Sequence, residues 1–478
     1  MYEGVVANGQ TVFHHINYDS YGKTTMILIT HHTGEAHGIL GVQAAGTHLT
    51  TNLHIPSLVV GIERQFSREL LLRFLDDYYA GQEKIIGFSH LCGRKDLMEL
   101  IGAVHERGFF TILGGPQAEK DYYGEGDSER YPMRFKGLHK VIDLAIQGPV
   151  DRLKREQLSS KAGCLNFPWG KDIVLNVDWT NIYTFADTLK RLAIKTAQVL
   201  NSIGCPYANK KNTVRLPLPD TIKGKSLDID VESYGCIFCD VSRDKGFHGH
   251  IDKSVVLSQI RALPEENERK IPFELIDEYP ISSLQWIIDD AAQAGIKLSR
   301  IDLVCRIDDI NTHPELLEAV LKTAQEKQIT IRFASIGFES FSDRILRLLN
   351  KGITVNDIVR CVGILRQLKE RFGDTILYRS DEGANHGFIH PTPWDDSETI
   401  SENNRNIAIH RFFDDILPPH SVPLIIHHAS YLGDWIRQVE SELQVGFKRE
   451  GTWIEWWSPP ENNQTIYLPE HTGNTREL

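Results

Sequence analysis

Two long stretches of the chain alternate short apolar or β-branched runs with segments whose apolar residues recur every three or four positions. This alternation constrains the fold more than any other feature. In the first stretch the runs are Met26–Ile29, Ser57–Gly61, Lys84–Phe88, Phe109–Leu113 and Val141–Ile146, with helical periodicity over Ser67–Ala80 and Arg94–Arg107. Strands and helices in that order bury their apolar faces by laying helices over both sides of a parallel sheet. The spacing therefore predicts an α/β, doubly wound (Rossmann-like) domain over 25–150, with ligands beyond the carboxyl ends of its strands. In the second stretch the runs are Thr196–Leu200, Phe273–Ile276, Ile301–Val304, Ile329–Ile336, Thr375–Tyr378 and Gly387–Ile389, with helices such as Pro314–Gln328 and Val355–Arg371 between them. Six strands with helical crossovers predict a full or partial β/α barrel of TIM type over 200–395, whose chemistry lies at the C-terminal strand ends.

The rest of the chain reads as an N-terminal extension (1–24), a connector (151–199) with a helical stretch over Phe185–Leu192, and a small C-terminal cap (396–478). In the cap, Trp435, Trp453, Trp456 and Trp457 read as packing residues. With 478 residues, 41% hydrophobic and 24% charged, the chain has enough apolar side chains for two or three separate cores. Its formal charge of −12 and lack of a basic tract argue against electrostatic capture of nucleic acid. Neither a signal-like leader nor an apolar stretch of membrane-spanning length is present, so a cytoplasmic protein with no membrane partner is expected. Seven cysteines, an odd number over a long chain, fit reduced thiols rather than a disulfide framework.

Two of those thiols fall in Ser233-Tyr-Gly-Cys-Ile-Phe-Cys-Asp240. Thiolates at Cys-x-x-Cys spacing can bind one metal or cluster from a single turn, so Cys236 and Cys239 are candidate ligands. The same pair could serve a zinc site completed by His248 and His250, or a dithiol redox couple. A zinc site wants a second pair of ligands at typical spacing, and no second cysteine pair exists.

Gly235-Cys-Ile-Phe-Cys-Asp240 resembles the end of the radical S-adenosylmethionine (SAM) signature, Cys-x-x-x-Cys-x-x-Cys. Further segments resemble that superfamily in order: Phe273-Glu-Leu-Ile-Asp-Glu278, Leu303-Val-Cys-Arg-Ile-Asp308, Ser335-Ile-Gly-Phe-Glu-Ser340, Asp343-Arg-Ile-Leu-Arg-Leu-Leu-Asn-Lys-Gly352 and Gly387-Phe-Ile-His-Pro-Thr-Pro393. The resemblance implies a 4Fe-4S cluster on three cysteines and reductive cleavage of SAM. It also implies SAM contacts from Phe238, Arg306, Glu339 and Ser340, with the Gly387–Pro391 turn near the adenine. Arg306 and Glu339 could equally form a structural ion pair of the barrel.

The first cysteine departs from the pattern. Position 232, in register with Cys236 and Cys239, is Glu232, whereas Leu200-Asn-Ser-Ile-Gly-Cys-Pro-Tyr207 resembles the strand ending that opens the family's cluster loop. The loop reads as split, with Cys205 as first ligand and the 30 residues 206–235 as an insertion. Loop-closure entropy grows slowly with length, so sequence separation does not keep the thiolates apart. Glu232 and Cys164 are the alternatives.

In the first domain, Ile86-Gly-Phe-Ser-His-Leu91, Thr111-Ile-Leu-Gly-Gly-Pro-Gln-Ala118 and Asp143-Leu-Ala-Ile-Gln-Gly148 resemble segments of cobalamin-binding domains. This implies Ser89, Leu91, Gly114 and Gly115 as cobalamin contacts. The family's Asp-x-His-x-x-Gly is not matched by Glu35-Ala-His-Gly-Ile-Leu-Gly41, which leaves the lower cobalt ligand open among His31, His32 and His37. His386 and His390, at the end of a late barrel strand, are candidate substrate-pocket residues. The combined resemblance implies a cobalamin-dependent radical SAM enzyme acting on a small molecule. Methyl transfer or rearrangement at an unactivated carbon is the expected reaction, with flavodoxin or ferredoxin as electron donor. The alternatives are a radical SAM enzyme without functional cobalamin and a non-catalytic sensor with zinc on Cys236 and Cys239.

Overall fold

The computed structural model describes residues 4–7, 10–13, 25–89, 93–159, 163–222, 225–239 and 248–457. The chain divides into two compact units, one of Met1–Glu125, Lys136–Gln198 and Ser254–Pro264, the other of Gly126–Phe135, Val199–Lys253 and Glu265–Leu478.

The first unit is built on an eight-stranded sheet: β1 (Met26–His31), β2 (Ser57–Ile62), β3 (Ile85–Ser89), β4 (Phe110–Gly114), β5 (Leu144–Gln147), β6 (Gly163–Asn166), β7 (Ile182–Phe185) and β8 (Leu189–Arg191). Their order is β8-β7-β2-β1-β3-β4-β5-β6, parallel throughout except for β8 against β7. Near-continuous burial along β1 and β2 follows from helices on both faces, including Leu40–Thr51, Arg68–Tyr78 and Lys95–His105. The chain leaves β1 to one side for β2 and returns to the other for β3. The topological switch point, where such folds bind ligands, therefore lies at the carboxyl ends of β1 and β3.

The expected connector is instead part of this sheet. Phe185–Leu192 is not helical: Phe185 pairs with Leu189 across a tight turn, and β7 adds to the edge of β2 with Ile182 opposite Val59. Phe185 is 2% exposed and stacks on Phe74 of the helix Arg68–Tyr78, at 6.3 Å between ring centroids. An open edge and an aromatic slot outweigh weak local helix preference.

The second unit carries β9 (Ala197–Leu200), a hairpin of β10 (Lys211–Pro217) and β11 (Asp228–Tyr234), β12 (Phe273–Ile276), β13 (Arg300–Cys305), β14 (Thr330–Glu339), β15 (Ile376–Leu377) and β16 (Gly387–Phe388). The barrel order is β9-β12-β13-β14-β15. The ten-residue β14 pairs with β15 through Ile331 and Arg332 and with β16 through Gly337 and Glu339. A bulge between Leu303 and Val304 shifts the β13–β14 register, and such bulges re-aim side chains next to functional sites. Low in the barrel, Asp302 takes paired hydrogen bonds from Arg332, at 3.0 and 2.6 Å, and from Arg300, at 2.7 and 3.2 Å.

The C-terminal residues share a core with the barrel. Trp394, Trp435 and Trp456 are buried together with Leu216, Ile229 and Val231 of the hairpin, Ile237 of the cysteine turn and Leu349. Glu440 of the helix Tyr431–Leu443 is fully buried; it accepts from Arg134 at 2.9 Å and also takes Arg449. Among the described residues no helix is long and apolar enough to cross a membrane.

Candidate active site

At the carboxyl ends of the second unit's strands lies a pocket of about 300 Å³ whose wall includes Cys205, Cys236 and Cys239. The hairpin brings these thiols together. Beyond β9 the chain turns at Gly204 (φ +76°), presents Cys205, and enters a short 3₁₀ turn at Pro206. Seven register pairs from Lys211↔Tyr234 to Pro217↔Asp228 then carry the insertion out and back. The return is sealed at Gly235 (φ +76°), where a Cβ would stand 3.3 Å from the Cα of Ala208. Cys236 follows at once, and a turn with Cys239 N–H donating to the Cys236 carbonyl, at 3.2 Å, brings in the third thiol.

Glu232 does not join them. Strict alternation along β11 puts Ile229, Val231 and Ser233 inward and Glu232 outward, 2.8 Å from Lys211 Nζ, with its side chain 65% exposed. Cys164 sits on β6 in the first unit's sheet.

The segment Asp343–Gly352 braces the cysteine turn. Asn350 Nδ2 donates to the Gly235 carbonyl at 2.6 Å and to Ser233 Oγ at 3.3 Å, while its own carbonyl accepts from Tyr207 Oη at 3.0 Å. Asn350 holds φ +50°, a conformation asparagine tolerates better than most residues. Ile237 N–H donates to the Leu349 carbonyl at 3.1 Å, and any Cβ at Gly352 would run into the Tyr207 ring.

Charged groups line the rest of the pocket. Lys351 Nζ lies 2.9 Å from Glu339 Oε1, both largely buried, and 5.9 Å from the centroid of the Phe238 ring. Glu339 holds φ +64° at the end of β14. A Cβ at Gly337 would fall 2.6 Å from both Glu339 Oε1 and Lys351 Nζ, and one at Gly387 would fall 2.6 Å from Glu339 Oε2. These two glycines make the space the carboxylate occupies. Arg306 is 4% exposed and donates to Cys236 Sγ at 3.3 Å, to Asp308 Oδ1 at 3.0 Å and to the Lys351 carbonyl at 2.7 Å. Burial raises the Glu278 carboxyl above its ordinary range, against the opposing pull of Lys351 and Arg306. Burial likewise pushes the Cys205 thiol up to about 11, with Glu278 adding and Arg306 opposing.

The chain resembles a solved structure over most of its length. Over 90% of this chain and 64% of the other, it superposes with a TM-score of 0.51 and 14% identity on the cobalamin-dependent S-adenosylmethionine radical enzyme OxsB. This chain has the fold of a cobalamin-dependent radical SAM enzyme. No family model matches it. Among curated proteins it is 24% identical over 252 residues to the tRNA-2-methylthio-N(6)-dimethylallyladenosine synthase of Methylococcus capsulatus, covering 50% of this chain and 54% of that protein. It is 22% identical over 303 residues to an uncharacterized protein of Methanocaldococcus jannaschii, covering 59% of this chain and 50% of that one. The chain spans about half the length of these curated relatives.

Three thiols lining one pocket are a donor set suited to an iron–sulfur cluster. Of the residues expected to touch SAM, Phe238, Arg306 and Glu339 line the pocket. Ser340 does not. It is 1% exposed, its Oγ is 3.2 Å from Asn403 Oδ1, and it accepts from Ser342 N–H, so it holds the turn after β14. His386 is likewise turned away: Nδ1 accepts from Ile336 N–H at 3.0 Å and Nε2 donates to the Tyr378 carbonyl at 2.6 Å. Burial pushes it down to about 4, so this imidazole is a neutral sheet fastener. His390 Nδ1 lies 3.1 Å from the buried Asp395 carboxylate, outside the cysteine pocket's lining.

In the first unit, Ser89 ends β3 at the switch point, opposite Thr30 on one side and Gly114 on the other. Among the described residues, a Cβ at Gly114 would meet only the Phe88 carbonyl oxygen, at 3.8 Å, and Gly115 holds φ +138°. Among the described residues, the backbone at these strand ends is therefore little covered by side chains. Leu91 lies outside the described residues. His32 has Nδ1 accepting from Gly34 N–H and Nε2 at the His37 carbonyl, while His31 Nδ1 lies 2.8 Å from Arg94 Nη1.

Tyr207, Glu278, Asn350 and Lys351 stand inside the motif segments read from sequence, yet their roles were missed. The signal available was their place in those segments: Tyr207 closes Leu200–Tyr207, Glu278 closes Phe273–Glu278, and Asn350 and Lys351 lie in Asp343–Gly352.

Proposed function

We propose that this chain is a cobalamin-dependent radical SAM enzyme holding a 4Fe-4S cluster on Cys205, Cys236 and Cys239. The reading rests above all on the hairpin that returns Gly235 to Ala208 and so delivers three thiols to a pocket also lined by Glu339, Lys351 and Arg306. A cluster bound there supplies an open iron for the amino and carboxylate groups of SAM and the electron that breaks its carbon–sulfur bond. The protein's part is to bind and orient. Lys351 offers an ammonium to a ligand carboxylate, Glu339 accepts from a ligand amine or hydroxyl, Gly337 and Gly387 leave the space, and Phe238 supplies an apolar wall. Ser89, Gly114 and Gly115 would hold cobalamin at the first unit's switch point.

The assigned reaction is methyl transfer to, or rearrangement at, an unactivated carbon, with the electron drawn from flavodoxin or ferredoxin. A net charge of −12 favours a small-molecule substrate over the tRNA named for the Methylococcus relative. Anaerobic reconstitution of the single variants Cys205→Ala, Cys236→Ala, Cys239→Ala and Glu232→Ala tests the site. The cysteine variants should lose the cluster and SAM cleavage, and Glu232→Ala should keep both. A full, active cluster in Cys205→Ala would overturn the ligand set. Fewer than about three irons per wild-type chain would overturn the enzyme reading, and purified protein that binds no corrinoid would remove cobalamin from it.

A further inference from the structure

We infer that Arg306 is a positioning residue that sets the reduction potential of the cluster through its hydrogen bond to Cys236. The inference rests on the cluster reading above and adds to it a function for a side chain expected to touch SAM or to form a structural ion pair.

Three polar partners and an aromatic face fix the guanidinium. Nε donates to Asp308 Oδ1 and Oδ2, at 3.0 and 3.3 Å, and Nη2 donates to the Lys351 carbonyl at 2.7 Å. The flat face lies 4.1 Å from the centroid of the Tyr207 ring. Asp308 is itself held by the Tyr279 hydroxyl. With those contacts made, Nη1 is aimed at Cys236 Sγ at 3.3 Å, inside a buried pocket. Lysine, a point charge on a flexible stem, could not satisfy this forked set.

An N–H donor and a fixed positive charge beside a ligating sulfur stabilise the more negative, reduced state of a cluster. Burial strengthens the effect because little water screens it. Lys351 is paired to Glu339, and Asp308 sits on the Nε edge of the fork, away from the donor that meets the sulfur. The step concerned is the transfer of one electron from a low-potential flavodoxin or ferredoxin to the oxidised cluster. Arg306 neither gains nor loses an electron or a proton.

Potentiometric titration of the reconstituted full chain, followed by the paramagnetic signal of the reduced cluster, tests this. At the wild-type midpoint, Arg306→Met should show a reduced-to-oxidised ratio at least tenfold lower, about 59 mV for a one-electron couple. Arg306→Lys should fall between it and wild type, and Tyr207→Leu, which removes the aromatic face under the guanidinium together with the hydroxyl's bond to the Asn350 carbonyl, should shift in the same direction. Four irons per chain with all three ratios within twofold of wild type would overturn the inference. So would loss of the cluster from all three variants, which would make Arg306 structural. Failure of the wild-type chain itself to hold a cluster would count against the ligand set instead.

Discussion

Replacing Asn350 tests whether the braced turn delivers the cysteines. Its amide donates to the buried Gly235 carbonyl at 2.6 Å and to Ser233 Oγ at 3.3 Å. Removing a donor from a buried carbonyl costs about 1–3 kcal/mol, and a second, longer bond adds no more than about 1 kcal/mol. The residue also holds φ +50°, which costs alanine about 1 kcal/mol more than asparagine or glycine. Asn350→Gly should therefore lose about 1–4 kcal/mol and Asn350→Ala about 2–5 kcal/mol, about 1 kcal/mol more. The difference between the two isolates the backbone term. Urea denaturation monitored by tryptophan fluorescence reads the stability, because Trp394, Trp435 and Trp456 share a core with the cysteine turn. Iron content after reconstitution reads the consequence for the site, and it should fall in both variants. Stability within about 0.5 kcal/mol of wild type in Asn350→Ala, together with full iron loading, would refute the argument.

Gly387→Ala places a Cβ 2.6 Å from Glu339 Oε2. The carboxylate end can swing aside, so the variant should fold and load iron normally while losing SAM affinity measured by equilibrium dialysis; unchanged affinity would exclude Glu339 from the SAM site. His386 is held near pH 4 by burial against an ordinary 6.5. Because its folded value is depressed, its neutral contacts contribute fully above about pH 6.5 and are lost as pH falls from there toward 4, for a total of about 3 kcal/mol. Stability against pH should be steeper in that window for the wild type than for His386→Phe, and parallel curves would sink the assignment. Trp435→Ala, in a core shared with the hairpin, should lose about 3–5 kcal/mol and with it the cluster. Destabilisation with full iron loading would show that the hairpin does not depend on the C-terminal core.

Both sheets were legible in the sequence because parallel strands covered on two faces read as apolar runs between helical segments, as at Met26–Ile29 and Ile329–Ile336. Edge strands are less legible. Ile182–Phe185 and Leu189–Arg191 carry weak local signals and become strands through pairing with β2 and packing on Phe74, which lies more than a hundred residues away in sequence. The cysteine pair at 236 and 239 and the motif segments after it are local patterns, and the sequence alone determined them. What the sequence did not show is the pairing of β10 with β11, whose two-residue alternation sends Glu232 outward while the hairpin's base returns Gly235 to Ala208.

Side-chain direction separated the remaining candidates. His386 and Ser340 sit at strand ends, where chemistry is expected, yet their polar atoms meet Ile336, Tyr378 and Asn403 rather than the pocket. Asn350 and Lys351 follow the short helix Asp343–Leu348, the first bracing the cysteine turn and the second lining the pocket. Sequence determined which residue types were present and which elements they would build. Only the tertiary structure decided which of them face one another, because hydrogen bonds and ion pairs depend on distances of a few ångströms between residues that the chain keeps far apart.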